Sequence, residues 1–181
     1  MTTPAPRIRK LLGMLRLVIF CLTFTPNLFA QSDDLTWQQL PPLPDKEGFA
    51  GMFAGVSNDV LLAAGGANFP QGYPWEGGQK VWYDTMFVLD KPSGKWRLAE
   101  QKLPRPLGYG VSITFDNSLL VVGGESATAD AKPACRSEVF SLRWNGKEMT
   151  RQELPSLPRP VAYSCGALLG ETIYVAGGIS S

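Results

Sequence analysis

Three glycine pairs, Gly65–Gly66, Gly123–Gly124 and Gly177–Gly178, recur at a near-constant spacing of roughly 55 residues. Each follows an apolar run, in "VLLAAGG", "SLLVVGG" and "TIYVAGG". A second motif keeps step with them. "LPDKEGFAGMFAGV" (Leu43–Val56), "LPRPLGYGVSIT" (Leu103–Thr114) and "LPRPVAYSCGAL" (Leu157–Leu168) follow one another at much the same spacing. Between them lie "TMFVLD" and "EVFSLR", each leading to a polar hairpin, "KPSGKW" or "WNGKEM". Self-similarity of this kind means that one supersecondary unit is repeated, and that each copy buries its faces against its neighbours. The unit reads as a Pro-rich turn, a small-residue strand, a short turn, an apolar strand, Gly-Gly, a loop, a third strand, a hairpin and a fourth strand.

Four antiparallel strands per unit of that length is the pattern of a β-propeller blade, and kelch arrays repeat at a similar interval. The residue types fit that geometry. Gly, Ala and Ser crowd the first strand ("GFAGMFAG", "LGYGVSIT", "AYSCGALL"), where innermost strands converge on a narrow axis. The second strand is almost continuously apolar, as a strand covered on both faces must be. The glycine pair is expected to end that strand where the backbone is awkward for a side chain. "LTWQQL" (Leu35–Leu40) reads as an outer fourth strand. Blades are expected at 48–101 and 107–153, with half a blade at 161–178. These strands amount to about three blades' worth, fewer than a closed propeller ring holds, so the sequence reads as a partial chain.

Bulk properties exclude several functions. The 17 basic and 16 acidic residues form no block of like charge, so no nucleic-acid partner is expected. The chain contains no histidine, which removes Ser-His-Asp chemistry and histidine-ligated zinc or copper. No metal is expected. Residues 1–30 read as a signal peptide. Arg7, Arg9, Lys10 and Arg16 precede "LVIFCLTF" (Leu17–Phe24), which is too short to span a bilayer comfortably. A periplasmic or secreted location follows, with no stable membrane insertion after cleavage. Beyond that segment Cys135 and Cys165 are the remaining cysteines, and their placement leaves a disulfide and two separate thiols both open.

"VLLAAGG…YDTMFVLD…GKW…LPRP" resembles kelch repeats. More specifically, "GFAGMFAGVSNDVLLAAGGANFP" and "RPLGYGVSITFDNSLLVVGGES" are similar to the sialic-acid mutarotases, or N-acetylneuraminate epimerases, a family of six-bladed kelch propellers. The stretch from Gly48 to about Gly124 resembles the C-terminal part of that family, and "LPRPVAYSCGALLGETIYVAGG" its N-terminal blade. That order is similar to the cyclically permuted branch. The resemblance implies interconversion of sialic acid anomers by the intact protein, without a cofactor and with a small acidic sugar as partner. The alternative is a non-catalytic carbohydrate- or protein-binding kelch propeller. Open blade edges also suggest self-association.

Loops after the second strands and turns between blades emerge on one face. They collect Asn68, Tyr73, Trp75, Glu76, Lys80, Trp82, Tyr83, Arg105, Glu125, Arg136 and Arg159 there. Flat aromatic surface beside fork-shaped donors suits a sugar with C–H faces, hydroxyls and a carboxylate. Asn68, Trp75, Glu76, Lys80, Tyr83, Arg105 and Arg159 are the candidate substrate contacts. Each also has a structural reading as a packing or turn residue. Glu125 and Arg136 are the nearest approach to an acid/base and anion-binding pair, since ring opening needs one carboxylate with a donor opposite. In the family a Glu followed closely by an Arg is thought to act. The resemblance assigns that pair to the blade preceding "LTWQQL", so the catalytic residues themselves are left unassigned here.

Overall fold

The computed structural model describes residues 36–180. The first repeat supplies β1 (Phe53–Ser57), β2 (Val60–Ala64), β3 (Ala67–Asn68), β4 (Val81–Trp82), β5 (Met86–Leu89) and β6 (Arg97–Leu98). Four of these form an antiparallel sheet in the order β1-β2-β5-β6, while β3 and β4 pair as a small ribbon beyond it. The second repeat supplies β7 (Val111–Phe115), β8 (Ser118–Ala127), β9 (Pro133–Trp144) and β10 (Met149–Leu154), ordered β7-β8-β9-β10. A third sheet holds β11 (Ala162–Leu169) and β12 (Thr172–Ile179). The fold is all-β, built of the four-stranded antiparallel blades of a kelch-type propeller.

Sequence explains the hairpins. Asn58-Asp59 and Asp116-Asn117 both take left-handed φ (45° and 64°; 44° and 53°), as tight two-residue hairpins demand. Short polar Asn and Asp side chains tolerate that region better than other non-glycine residues.

The core lies between the first two blades. Phe53, Leu62, Met86, Val88, Leu119, Val121, Phe140 and Leu142 form one buried cluster, and Leu103 and Leu107 of the inter-blade link join it. Each such side chain contributes about 2 kcal/mol by leaving water. Inner strands approach closely: a Cβ on Gly55 would sit 2.7 Å from Leu119 Cδ1. The free edge of β1 is satisfied by its neighbour. Ser112 Oγ accepts from Ala54 N (3.2 Å) and Thr114 Oγ1 from Val56 N (2.8 Å).

Two expectations need correction. The glycine pair ends β2, but β8 runs through Gly123–Gly124 to Ala127 and β12 runs through Gly177–Gly178 to Ile179. In β8 the pair is a bulge, with the ladder register shifting between Val122 and Gly124. Its cause is the next blade. Gly66 N donates to Leu107 O and Gly124 N to Val161 O, both at 2.8 Å. A Cβ on Gly65 or Gly123 would meet those same carbonyl oxygens. The second correction concerns "LTWQQL". Leu35 lies outside the described residues, and residues 36–40 carry no strand. An outer strand needs the edge of a third strand beside it, and no described strand pairs with this segment.

The signal peptide expected at residues 1–30 also lies outside the described residues. Among those described, no helix is long and apolar enough to cross a membrane. Cys135 is buried with its Sγ 3.6 Å from the Ile179 carbonyl oxygen, whereas Cys165 is exposed.

Candidate functional site

Three consecutive blades contribute to one polar cluster on the face that carries the glycine pairs. Lys80 precedes β4 of the first blade, Glu125 follows the glycine pair in β8 of the second, and Tyr163 opens β11 of the third. Lys80 Nζ donates to Glu125 Oε1 (2.6 Å) and to Tyr163 Oη (3.0 Å), and Tyr163 Oη donates to the same Glu125 oxygen (2.8 Å). Glu125 is only 5% exposed. Its backbone is fixed by a reciprocal bridge with Gly108 (3.0 and 2.7 Å), so the carboxylate is held against the inner turn of its own blade.

The ammonium group sits among aromatic rings, 4.0 Å from the centroid of Tyr109, 4.7 Å from Trp82 and 5.7 Å from Tyr163. The ring quadrupoles favour a cation there. Burial alone would pull the Lys80 pKa down. The hydrogen bonds to Glu125 and Tyr163, with the charge of Glu125, outweigh it, and the net shift is upward. Lys80 is therefore a permanent ammonium and no general base or amine nucleophile at neutral pH. The Tyr163 phenol is also pushed up, chiefly by burial, with the Lys80 hydrogen bond acting against it. An ammonium has three donors, and two are taken. The third suits a carboxylate.

Tyr109 and Tyr163 were not singled out by the sequence motifs. They occupy the same step of consecutive repeats, in "LGYGV" and "VAYSC". That shared register was the available signal. Both take left-handed φ, 60° and 58°. The equivalent residue of the first blade is Gly51, with φ 66°.

Beside this cluster lies a cleft of about 420 Å³ lined by Gly48, Phe49, Asn68, Phe69, Tyr73 and Tyr109 among others. Asn68 is braced on two sides: its Nδ2 donates to Gly48 O (2.8 Å) and its Oδ1 accepts from Tyr83 Oη (2.7 Å). The Tyr83 ring meets Phe49 edge-on at 5.1 Å. Beside the cleft, Pro74–Glu76 makes a single 3-10 turn in which Glu76 Oε2 accepts from Tyr73 N (3.2 Å). That carboxylate closes its own turn. The turn stacks Trp75 on Tyr73, 4.6 Å apart and nearly parallel, with Trp75 78% exposed.

The remaining candidates are dispersed. Arg105 pairs with Glu138 (2.9 Å). Arg159 is exposed on a small separate cleft lined by Leu157, Val161 and Val175. Glu125 and Arg136 lie on paired strands rather than in a loop, and they do not face each other. Glu125 is opposite Cys135, so Arg136, the next residue along, points to the other face. Arg136 donates to Ala127 O (3.1 Å), and its buried Nε has no acceptor among the described residues. The partner of Glu125 is Lys80.

A family model described as N-acetylneuraminate epimerase matches residues 25–150. The chain belongs to the N-acetylneuraminate epimerase family. It is 39% identical over 134 residues to the N-acetylneuraminate epimerase of Yersinia enterocolitica serotype O:8 / biotype 1B, covering 66% of this chain and 32% of that protein. It is 39% identical over 127 residues to that of Salmonella enteritidis PT4, covering 62% of this chain and 32% of that one. A solved structure titled "Structure of YjhT" is 32% identical with a TM-score of 0.55, covering 67% of this chain and 36% of that chain. The match thus spans about a third of the length of these epimerases. Lys80, Tyr109 and Glu125 fall inside the residues that the epimerase model matches, and Tyr163 falls beyond them.

Proposed function

We propose that this chain forms one side of the sugar site of an exported N-acetylneuraminate epimerase, which interconverts the α and β anomers of sialic acid. The observation that carries the reading is the Lys80–Glu125–Tyr163 cluster, in a chain that belongs to the epimerase family. Mutarotation takes the proton from the anomeric hydroxyl while the bond from the anomeric carbon to the ring oxygen breaks and that oxygen gains a proton. The open-chain ketone then recloses on its other face. Lys80 binds the substrate carboxylate through its third donor, while Asn68, Tyr83, Trp75 and Glu76 shape the neighbouring cleft and its rim. Arg105, paired with Glu138, and Arg159, on its separate cleft, lie outside this site.

Glu125 Oε1 already accepts two hydrogen bonds, which suits an orienting carboxylate better than a proton acceptor. The acid–base pair is assigned to a further blade of the whole protein. Export is supported by the basic residues preceding Leu17–Phe24, and a periplasmic or secreted location goes with it. Exposed Leu169, Tyr174 and Ile179 on the third sheet support association of that sheet with further strands, from more chain or from a second copy.

The test is NMR of freshly dissolved α-N-acetylneuraminate with and without the purified chain. Binding of the sugar without acceleration of its anomeric exchange is expected, because the acid–base pair is assigned to a further blade. Exchange at the spontaneous rate, together with no binding of the sugar, would overturn the proposal that this face is an epimerase site.

A further inference from the structure

Tyrosine is a poor choice for a left-handed backbone, yet two equivalent inner turns use it. A bulky residue at φ near 60° costs about 1–2 kcal/mol that glycine would not. Strain of this kind persists where surrounding structure enforces it, and it concentrates at ligand clamps. The enforcing structure is visible. Tyr109 N donates to Gly51 O (2.8 Å) and Tyr163 N to Tyr109 O (2.7 Å), so the three inner turns are bonded in series. In each step the later ring leans over the earlier turn. A Cβ added at Gly51 would lie 2.5 Å from Tyr109 Cδ1, so glycine is required there to admit the Tyr109 ring. The Tyr163 ring then packs on Tyr109, with centroids 4.7 Å apart and planes at 33°.

This stair of rings is not a buried packing device. Tyr163 is 44% exposed, and Tyr109 lines the 420 Å³ cleft. Both rings also border the Lys80 ammonium, 4.0 and 5.7 Å from their centroids. An aromatic step beside a fixed cation, with Tyr163 exposed and Tyr109 half-buried at the cleft, is complementary to a ligand with a carboxylate next to a C–H-rich face. Acidic N-acyl sugars have that form.

We infer that Tyr109 and Tyr163 form the stacking platform on which the apolar face of an acidic N-acyl sugar rests while Lys80 holds its carboxylate. The inference deepens the proposed epimerase reading and rests on it for the identity of the sugar. The left-handed backbone sets the rings over the preceding turn instead of letting them follow their own strands. It also explains why the rings are one repeat apart.

The decisive variants are Tyr109→Gly and Tyr163→Gly, which remove the ring and relieve the backbone, with Tyr109→Phe as the conservative control. Binding is read by saturation-transfer NMR and titration, using N-acetylneuraminate and the neutral N-acetylglucosamine as probes. Urea midpoints are measured alongside. Each glycine variant is expected to remain folded and to bind N-acetylneuraminate about 5-fold or more weakly, the loss of one aromatic contact. Tyr109→Phe is expected to bind within about twofold of wild type, because stacking needs only the ring. Wild-type affinity in both folded glycine variants overturns the platform and leaves the sialic acid reading standing. Ring-dependent binding of N-acetylglucosamine with none of N-acetylneuraminate keeps the platform and overturns the acidic-sugar reading. Failure of wild type to bind either sugar overturns both.

Discussion

Replacing Lys80 with methionine keeps most of the side-chain stem and deletes the ammonium, which isolates the charge from the packing. Glu125 would then sit with its side chain 6% exposed and no cation, where Lys80, 20% exposed, now lies 2.6 Å away. Removing one partner of a buried pair costs about 3–5 kcal/mol, because the other charge remains buried. Tyr163 keeps its 2.8 Å hydrogen bond to Glu125 and offsets roughly 1 kcal/mol of that. A net loss of about 2–4 kcal/mol follows, or a fall of roughly 1–2 M in the urea midpoint at unchanged slope. Tryptophan fluorescence against urea reads it directly. Arg105→Ala is the control: its pair with Glu138 is more exposed and is expected to shift stability by no more than about 0.5 kcal/mol. The double variant Lys80→Met/Glu125→Gln is expected to cost less than the sum of its parts, since no charge is stranded. Equal midpoints for Lys80→Met and Arg105→Ala would refute the reasoning, for they would mean that the Glu125 pair is solvated.

The same geometry sets three further outcomes. Lys80 and Tyr163 both have pKa values raised above their ordinary 10.5 and 10.0, so their stabilisation is complete below those values and is lost as pH rises through the folded values. Urea midpoints should be insensitive to these groups at neutral pH and fall in strong alkali. Gly123→Ala should cost more than about 3 kcal/mol, because φ is 61° and the new Cβ would lie 2.5 Å from Val161 O, whereas Gly146→Ala, with open space around it, should cost only about 1–2 kcal/mol by thermal or urea unfolding. Thr114→Val removes the oxygen that accepts from Val56 N and should cost about 1 kcal/mol or less, with faster amide exchange at Val56 as the specific readout.

Much of the fold was written in the repeat. The Asn-Asp and Asp-Asn turns, the small residues of the inner strands and the buried run of β8 each follow from local sequence and the regular return of the same motifs. The role of the glycine pair was half legible. Positive φ could be anticipated, but the reason lies in the carbonyl of a residue well along the chain in the next repeat, Leu107 or Val161. Site residues were legible as a face and illegible as partners. Lys80 and Glu125 lie in different repeats, so no spacing rule joins them, and the strand register that turns Arg136 away from Glu125 depends on a bulge. Tyr109 and Tyr163 resemble ordinary strand residues until their left-handed backbone is seen.

The central claim, that the Lys80 ammonium is the anion anchor of a sugar site, is most directly tested by NMR of the chain with ¹⁵N-labelled lysine side chains. Two hydrogen bonds and three aromatic rings should slow proton exchange at Lys80 Nζ enough to give a distinct signal, assigned by its absence in Lys80→Met. Saturating N-acetylneuraminate is expected to shift that signal and slow its exchange further as the third donor engages the carboxylate. An unmoved Lys80 signal, with the sugar bound elsewhere on the chain or not at all, would contradict the account.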